Sequence, residues 1–364
     1  MRGVDVEERP LVLIWELTQA CGLTCKHCRA DAQPERHPDE LTTAEGKRLL
    51  DQAADFGDGQ LVVLSGGDPL VRDDVTELVE YGTRQGLGMT LTPSGTESLT
   101  PERIDALQDA GLRRMALSLD GGDADSHDAF RGESGSFEAT LAAAEAARET
   151  GLPLQINTTV CAETVDQLPA IRELVADLGA VMWSVFFLVP VGRGRVLTQI
   201  SPDRAERVME WLHEVSEAEP FGLKTTEAPH YRRVTIERER DGDSGENDGL
   251  QRRTGIRAGQ GFAFVSHTGE MYPSGFLPES AGNVRSESVV DLYRDSSLFQ
   301  RLRDDSALEG KCGACPYRGV CGGSRSRAYA ATGDPMGSDP LCSFVPDEYD
   351  GPLPATHEER VPTD

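Results

Sequence analysis

Apolar residues recur along this chain in two alternating rhythms. Short runs rich in Val, Ile and Leu lie at about Leu11–Leu17, Gln60–Leu64, Gly88–Thr92, Arg114–Leu119, Pro153–Val160 and Val181–Leu188. They are often apolar on both faces, as strands buried in a parallel sheet require. Between them the spacing lengthens to three and four residues. This predicts amphipathic helices at about Thr42–Asp55, Asp73–Gln85, Pro101–Ala110, Ser136–Thr150, Val165–Leu178 and Pro202–Ala218. Thr42-Thr43-Ala44-Glu45 and Thr100-Pro101-Glu102 supply N-cap chemistry. Gly86, Gly111, Gly151 and Gly179 follow helix ends, where a left-handed residue is wanted. Six strand–helix units in series predict an α/β fold, with a parallel sheet and right-handed crossovers.

The pattern then loosens. Glu237–Arg253 is dominated by Asp, Gly, Glu and Arg and reads as a mobile surface loop within a linker at 236–258. A hairpin-like stretch, Gly261–Pro273, precedes a short helix and a second group of cysteines. The expected organisation is a segment 1–10, an α/β unit 11–235, the linker, a small C-terminal unit 259–346 and a polar tail 347–364.

Charge narrows the field. The chain has 62 acidic and 36 basic residues, a net charge of −26, and its only lysines are Lys26, Lys47, Lys224 and Lys311. Such an acid-rich, Lys-poor surface suits a cytoplasm at high salt. It opposes binding to nucleic acid or anionic membrane, whose phosphates would be repelled. No window approaches the roughly 20 apolar residues of a membrane span, and residues 1–10 lack the apolar core of a signal peptide. A cytoplasmic location is expected. There, eight cysteines favour metal ligation over disulfides. Cys161 stands alone and reads as a small buried apolar residue.

The other cysteines carry the chemistry. Cys21, Cys25 and Cys28 follow the first strand with the spacing C-x3-C-x2-C. Three such thiolates can hold three corners of a cubane iron–sulfur cluster and leave the fourth iron open. A zinc knuckle completed by His27 or His37 is the competing reading. Cys312, Cys315, Cys321 and Cys342 form C-x2-C-x5-C-x20-C, enough for a closed cluster or for a zinc ribbon.

The first spacing resembles the signature of the radical S-adenosylmethionine (radical SAM) superfamily. The resemblance implies an open (β/α)6 partial TIM barrel with ligands at the C-terminal ends of the strands. It also implies a [4Fe–4S] cluster whose open iron is chelated by S-adenosylmethionine, and reductive cleavage to a 5′-deoxyadenosyl radical. The resemblance places His27 in a slot that in such proteins is often aromatic and near the adenine. Ser65-Gly66-Gly67-Asp68-Pro69 resembles the family's GGEP motif, its carbonyls and carboxylate suiting the methionine ammonium. Ser94, Ser118 and Asp120 at later strand ends suit ribose and the methionine carboxylate, and Arg131 of His127-Asp128-Ala129-Phe130-Arg131-Gly132 would pair with that carboxylate.

The run from Cys315 to Tyr329 resembles the SPASM-type C-terminal domain of radical SAM enzymes. Where many relatives have a further cysteine, this chain has Ser274, so one auxiliary [4Fe–4S] cluster is expected. Pro316–Tyr329, Ser274 and Gly282-Asn283-Val284-Arg285 look most like the tetrapyrrole-modifying branch, which serves the alternative heme pathway and heme d1 synthesis. The implied activity is modification of a porphyrin side chain, with a ferredoxin or flavodoxin as electron donor. Arg193, Arg195, Arg232 and Arg233 are expected to clamp substrate carboxylates, with His230 and Tyr231 offering a hydrogen bond or an iron ligand. Two other readings compete. A maturase of a small peptide, mycofactocin-like, shares the CPYRxxCGGSRxRAY run, and a zinc or electron-transfer protein would use the cysteines alone.

Overall fold

The computed structural model describes residues 4–241 and 256–355. Seven strands alternate with helices: β1 (Val12–Thr18), β2 (Leu61–Gly66), β3 (Gly88–Leu91), β4 (Arg114–Ser118), β5 (Leu154–Val160), β6 (Met182–Phe187) and β7 (Gly222–Thr226). The helices of this region are α1 (Thr43–Ala54), α2 (Val75–Arg84), α3 (Pro101–Asp109), α4 (Ala124–Arg131), α5 (Ser136–Thr150), α6 (Leu168–Asp177), α7 (Pro202–Ala218) and α8 (Tyr231–Asp241). All neighbouring pairs from β1 to β7 are parallel and in chain order, giving an open partial barrel.

β7 and α4 go beyond the six units expected. β7 is polar and only partly covered at the sheet edge, so it lacks the apolar run that marks the others. α4 is a short helix capped by Asp123, whose side chain accepts from the Ser126 N–H. The linker also differs: α8 continues to Asp241, and 242–255 lies outside the described residues.

The hairpin is β8 (Phe262–Val265) and β9 (Glu270–Tyr272), followed by β10 (Gly282–Asn283). β8 pairs parallel with β1, Val12 opposite Phe262, and so extends the barrel sheet to the order β10-β9-β8-β1-β2-β3-β4-β5-β6-β7. Beyond it come α9 (Val289–Asp295), α10 (Ser297–Arg303), α11 (Gly310–Ala314) and α12 (Arg325–Thr332).

Side-chain alternation explains the layers. Leu13, Trp15 and Leu17 of β1 are fully buried in the core. A Cβ on Gly46 of α1 would stand 2.3 Å from the Trp15 ring, so the helix lies flat on the indole. Glu16 belongs to the opposite face. Thr42 and Glu45 form a reciprocal capping box at the start of α1. A smaller apolar cluster of Ala258, Leu277, Leu302, Leu308 and Met336 supports the C-terminal cysteines.

Candidate active site

Cys21, Cys25 and Cys28 lie on the loop that leaves β1, packed with Leu23 and Ala32. The loop is closed at its base, where Cys21 N–H donates to the Gln33 carbonyl at 2.8 Å and Gln33 N–H to the Gln19 carbonyl at 3.0 Å. Backbone also points at sulfur: Leu23 N–H lies 3.4 Å from Cys21 Sγ and Ala32 N–H 3.3 Å from Cys28 Sγ. Burial pushes the Cys25 thiol up, with Arg131 opposing.

The end of β2 approaches this loop as closely as backbone allows. A Cβ on Gly67 would stand 2.5 Å from the Ala20 carbonyl oxygen, and one on Gly66 would stand 2.4 Å from that of Thr18. Gly66 also has φ +151°, which L side chains rarely adopt. Asp68 is buried and caps the short turn starting at Pro69, accepting from Leu70 N–H at 3.1 Å. Its other oxygen accepts from the Thr96 hydroxyl at 3.3 Å, and burial raises its pKa. Ser94 joins three parts of the site. Its hydroxyl donates to the Gly67 carbonyl at 2.7 Å and lies 3.4 Å from Cys21 Sγ, while its carbonyl accepts from Arg131 at 3.2 Å.

Ser118 ends β4, and Asp120 and Arg131 face each other just beyond it, 3.6 Å apart. Asp120 Oδ1 accepts from Thr159 N–H at 2.8 Å, whereas its buried Oδ2 has no hydrogen bond. The His27 ring stacks on Phe130, centroids 4.7 Å apart, with Nε2 3.9 Å from Asp120 Oδ2. Burial lowers the His27 pKa to about 4, with Asp120 opposing, so the ring is neutral near pH 7. His27 Nδ1 and Arg131 Nε are likewise buried without partners. Buried polar atoms are normally satisfied, so a cluster of orphans beside three cysteines marks a place built for a polar ligand. Three thiols, a cradle of bare backbone and converging donors and acceptors fit a site-differentiated cluster and an amino-acid-bearing nucleoside.

The expected carboxylate clamp is not assembled. Arg193 turns onto the cysteine loop, donating to the Cys25 carbonyl at 3.0 Å and the Ala32 carbonyl at 3.3 Å. Arg233 is buried between Glu206 and Glu237, and its guanidinium lies 5.1 Å over the Phe344 ring. His230 is fully buried, 3.9 Å from Asp339, and among the described residues its two ring nitrogens have no hydrogen-bond partner. Tyr231 packs against the core and hydrogen-bonds Ser216. Arg232 is half-buried, while Arg195 is exposed.

Two acids were missed. Glu16 is a buried acid inside the apolar run VLIWELT, itself a recognisable signal. Burial raises its pKa, but Arg29 at 2.8 Å and His267 at 2.9 Å outweigh that and hold it below its ordinary value. Glu227, after β7, adopts φ 55° and accepts from the hydroxyls of Ser274, Ser324 and Ser326. It ties the barrel edge to the C-terminal region.

Cys312, Cys315, Cys321 and Cys342 line one pocket, with Arg233, Lys311, Gly322, Gly323 and Phe344 around them. Gly323 N–H lies 3.4 Å from Cys321 Sγ and Asp339 N–H 3.4 Å from Cys312 Sγ. Burial pushes the Cys342 thiol up to about 12. Four thiols among N–H donors and cations suit an anionic metal centre.

Residues 15–175 match the model of the radical SAM superfamily. The chain belongs to that superfamily and is a radical SAM enzyme, a class that uses S-adenosylmethionine with a [4Fe–4S] cluster. It is 42% identical over 347 residues to the AdoMet-dependent heme synthase of Methanosarcina barkeri, covering 94% of this chain and 99% of the relative. It is 40% identical over 341 residues to the AdoMet-dependent heme synthase of Nitratidesulfovibrio vulgaris, covering 92% of each. In fold it resembles Streptococcus suis SuiB bound to S-adenosylmethionine, with a TM-score of 0.73 and 18% identity over 93% of this chain and 78% of that one. Among the described residues no helix is long and apolar enough to cross a membrane.

Proposed function

We propose that the chain is a heme synthase of the alternative pathway, converting iron-coproporphyrin propionates to vinyl groups. The observation that carries this is the near full-length identity, about two residues in five, to two relatives named for that activity. In each turnover a propionate loses a hydrogen atom, CO2 and one electron. Bound S-adenosylmethionine and its cluster supply the radical that takes the hydrogen.

The chain's own residues hold and orient. Cys21, Cys25 and Cys28 ligate the first cluster. Gly66, Gly67, Asp68 and Pro69 receive the methionine ammonium, with Ser94 holding the Gly67 carbonyl in place. Arg131 takes the methionine carboxylate, and Ser118 and Asp120 the ribose. His27 and the Phe130 ring behind it offer an aromatic surface for adenine. Cys312, Cys315, Cys321 and Cys342 hold one auxiliary [4Fe–4S] cluster. A ferredoxin- or flavodoxin-type reductant is the expected donor, and exposed Arg195 is the arginine we assign to a propionate.

The test is an anaerobic assay of the reconstituted enzyme with iron-coproporphyrin, didecarboxysiroheme and a mycofactocin-type precursor peptide in separate arms. We expect loss of two CO2 per iron-coproporphyrin and no product in the other arms. Product from the siroheme or peptide arm alone would replace this reading.

A further inference from the structure

α12 opens with two buried arginines that are treated differently. Arg327 has an acid, Asp339, whose two oxygens each accept from it at 3.1 Å. Arg325 is 0% exposed, and among the described residues no carboxylate pairs with it. Its guanidinium donates to the carbonyls of Gly323 at 3.2 Å, Pro335 at 2.7 Å and Gly337 at 2.8 Å. The remaining nitrogen points at Cys312 Sγ, 3.5 Å away.

Carbonyl dipoles solvate a guanidinium but do not neutralise it, and a buried uncompensated charge is costly. The direction left open leads to the sulfur of Cys312, beside Asp339, whose two oxygens are already held by Arg327. The local backbone serves that contact. Gly323 has φ +68°, and a Cβ there would stand 2.6 Å from the Arg325 nitrogen and 3.0 Å from Cys312 Sγ. Any side chain there would press between the guanidinium and the sulfur. Arg257, also buried, reaches past Gly322 on the other side, where a Cβ would stand 2.4 Å from its guanidinium. Arg257 has Asp305 as its acid.

We propose that Arg325 is a positioning residue whose fixed, unpaired charge raises the reduction potential of the auxiliary cluster held by Cys312, Cys315, Cys321 and Cys342. This rests on the two-cluster reading above. A nearby cation and N–H···S contacts stabilise the more negative oxidation level, so they favour electron uptake. The reaction needs such an acceptor. After hydrogen abstraction the side chain is a carbon radical next to CH2–COO⁻. Forming the vinyl group breaks the bond to the carboxylate, releases CO2 and leaves one electron. A cluster held by Cys312, Cys315, Cys321 and Cys342 would supply a one-electron acceptor for it.

The test is a redox titration of reconstituted enzyme followed by EPR, on wild type, Arg325→Met and Arg325→Lys, with iron and zinc measured on each. Wild type should carry about eight irons per chain. About four irons with one zinc would sink the two-cluster reading itself, before any variant is considered. Arg325→Met should make one-electron reduction of the auxiliary cluster at least tenfold less favourable, about 59 mV. The N-terminal cluster should keep its potential. Arg325→Lys, which retains the charge, should recover most of the shift. An unchanged potential in Arg325→Met at full iron content overturns the proposal. If Arg325→Met fails to hold the cluster, Arg325→Lys decides: a potential near wild type upholds the proposal, and one lowered tenfold in equilibrium constant overturns it.

Discussion

A single β-carbon on Gly67 would stand 2.5 Å from the Ala20 carbonyl and 2.7 Å from that of Gln19. Neither backbone group can swing away as a side-chain tip could. Gly67→Ala must therefore push the end of β2 off the cysteine loop. It would also shift the carbonyl that the Ser94 hydroxyl holds. The cysteines are untouched, so the first cluster should still assemble while S-adenosylmethionine binds at least tenfold more weakly, about 1.4 kcal/mol. Calorimetric titration of the reconstituted variant measures this, and wild-type affinity would contradict the cradle. At this scale sequence reasoning reads short, backbone-bound residues well. Cys21, Gly66, Gly67 and Ser94 have their chemistry fixed by chain position, and the structure brings them together. Long side chains are less legible. Arg193 and Arg233 follow strands six and seven, yet their guanidinium groups turn inward, onto carbonyls and onto Glu206 and Glu237. Nothing in local sequence states which way an arginine with several rotatable bonds will point.

Elements were legible where apolar period and caps agree, as in α1. There Thr42 and Glu45 supply the reciprocal cap, and Arg285 from beyond β10 adds its guanidinium to Glu45 at 2.8 Å. Arg285, followed by the Thr42 N–H, holds the Glu45 carboxyl at about 2, below its ordinary value of 4.5. The folded pKa is depressed, so this stabilisation is present above about pH 4.5 and is lost as pH falls toward 2. Glu45→Gln should destabilise the fold by ~1 kcal/mol at pH 7. The gap to wild type should narrow as pH is lowered through that window, which urea unfolding at several pH values can follow. A gap independent of pH would mean that the cap acts through shape alone. Where period and burial disagree, the sequence is mute. β7 reads Gly-Leu-Lys-Thr-Thr and is held by β6 along one edge, with no apolar alternation to reveal it. The pairing of β8 with β1 joins residues about 250 apart and leaves no local trace.

At the scale of the whole molecule, charge is the dominant unbalanced quantity. The net charge of −26 is a self-repulsion that folding concentrates. Ion pairs at the surface offset little of it. Arg84–Glu80 has side chains 59% and 57% exposed, and pairs that wet contribute about 0–1 kcal/mol. Salt acts on the repulsion more strongly than on these pairs, because the excess is all of one sign. The Debye length falls from about 10 Å at 0.1 M to about 3 Å at 1 M. Screening should therefore raise the thermal midpoint of the chain by several degrees over that interval of KCl. Above 1 M the screened length is already that of a contact, so a pure screening effect levels off. A midpoint still climbing at 2–3 M KCl would require a second cause, such as salt excluded from the protein surface and favouring burial. A midpoint that falls between 0.1 and 1 M would mean that ion pairs outweigh repulsion, and the salt-adapted reading of the acidic surface would be wrong. Differential scanning calorimetry of one reconstituted preparation across the KCl series separates the three outcomes.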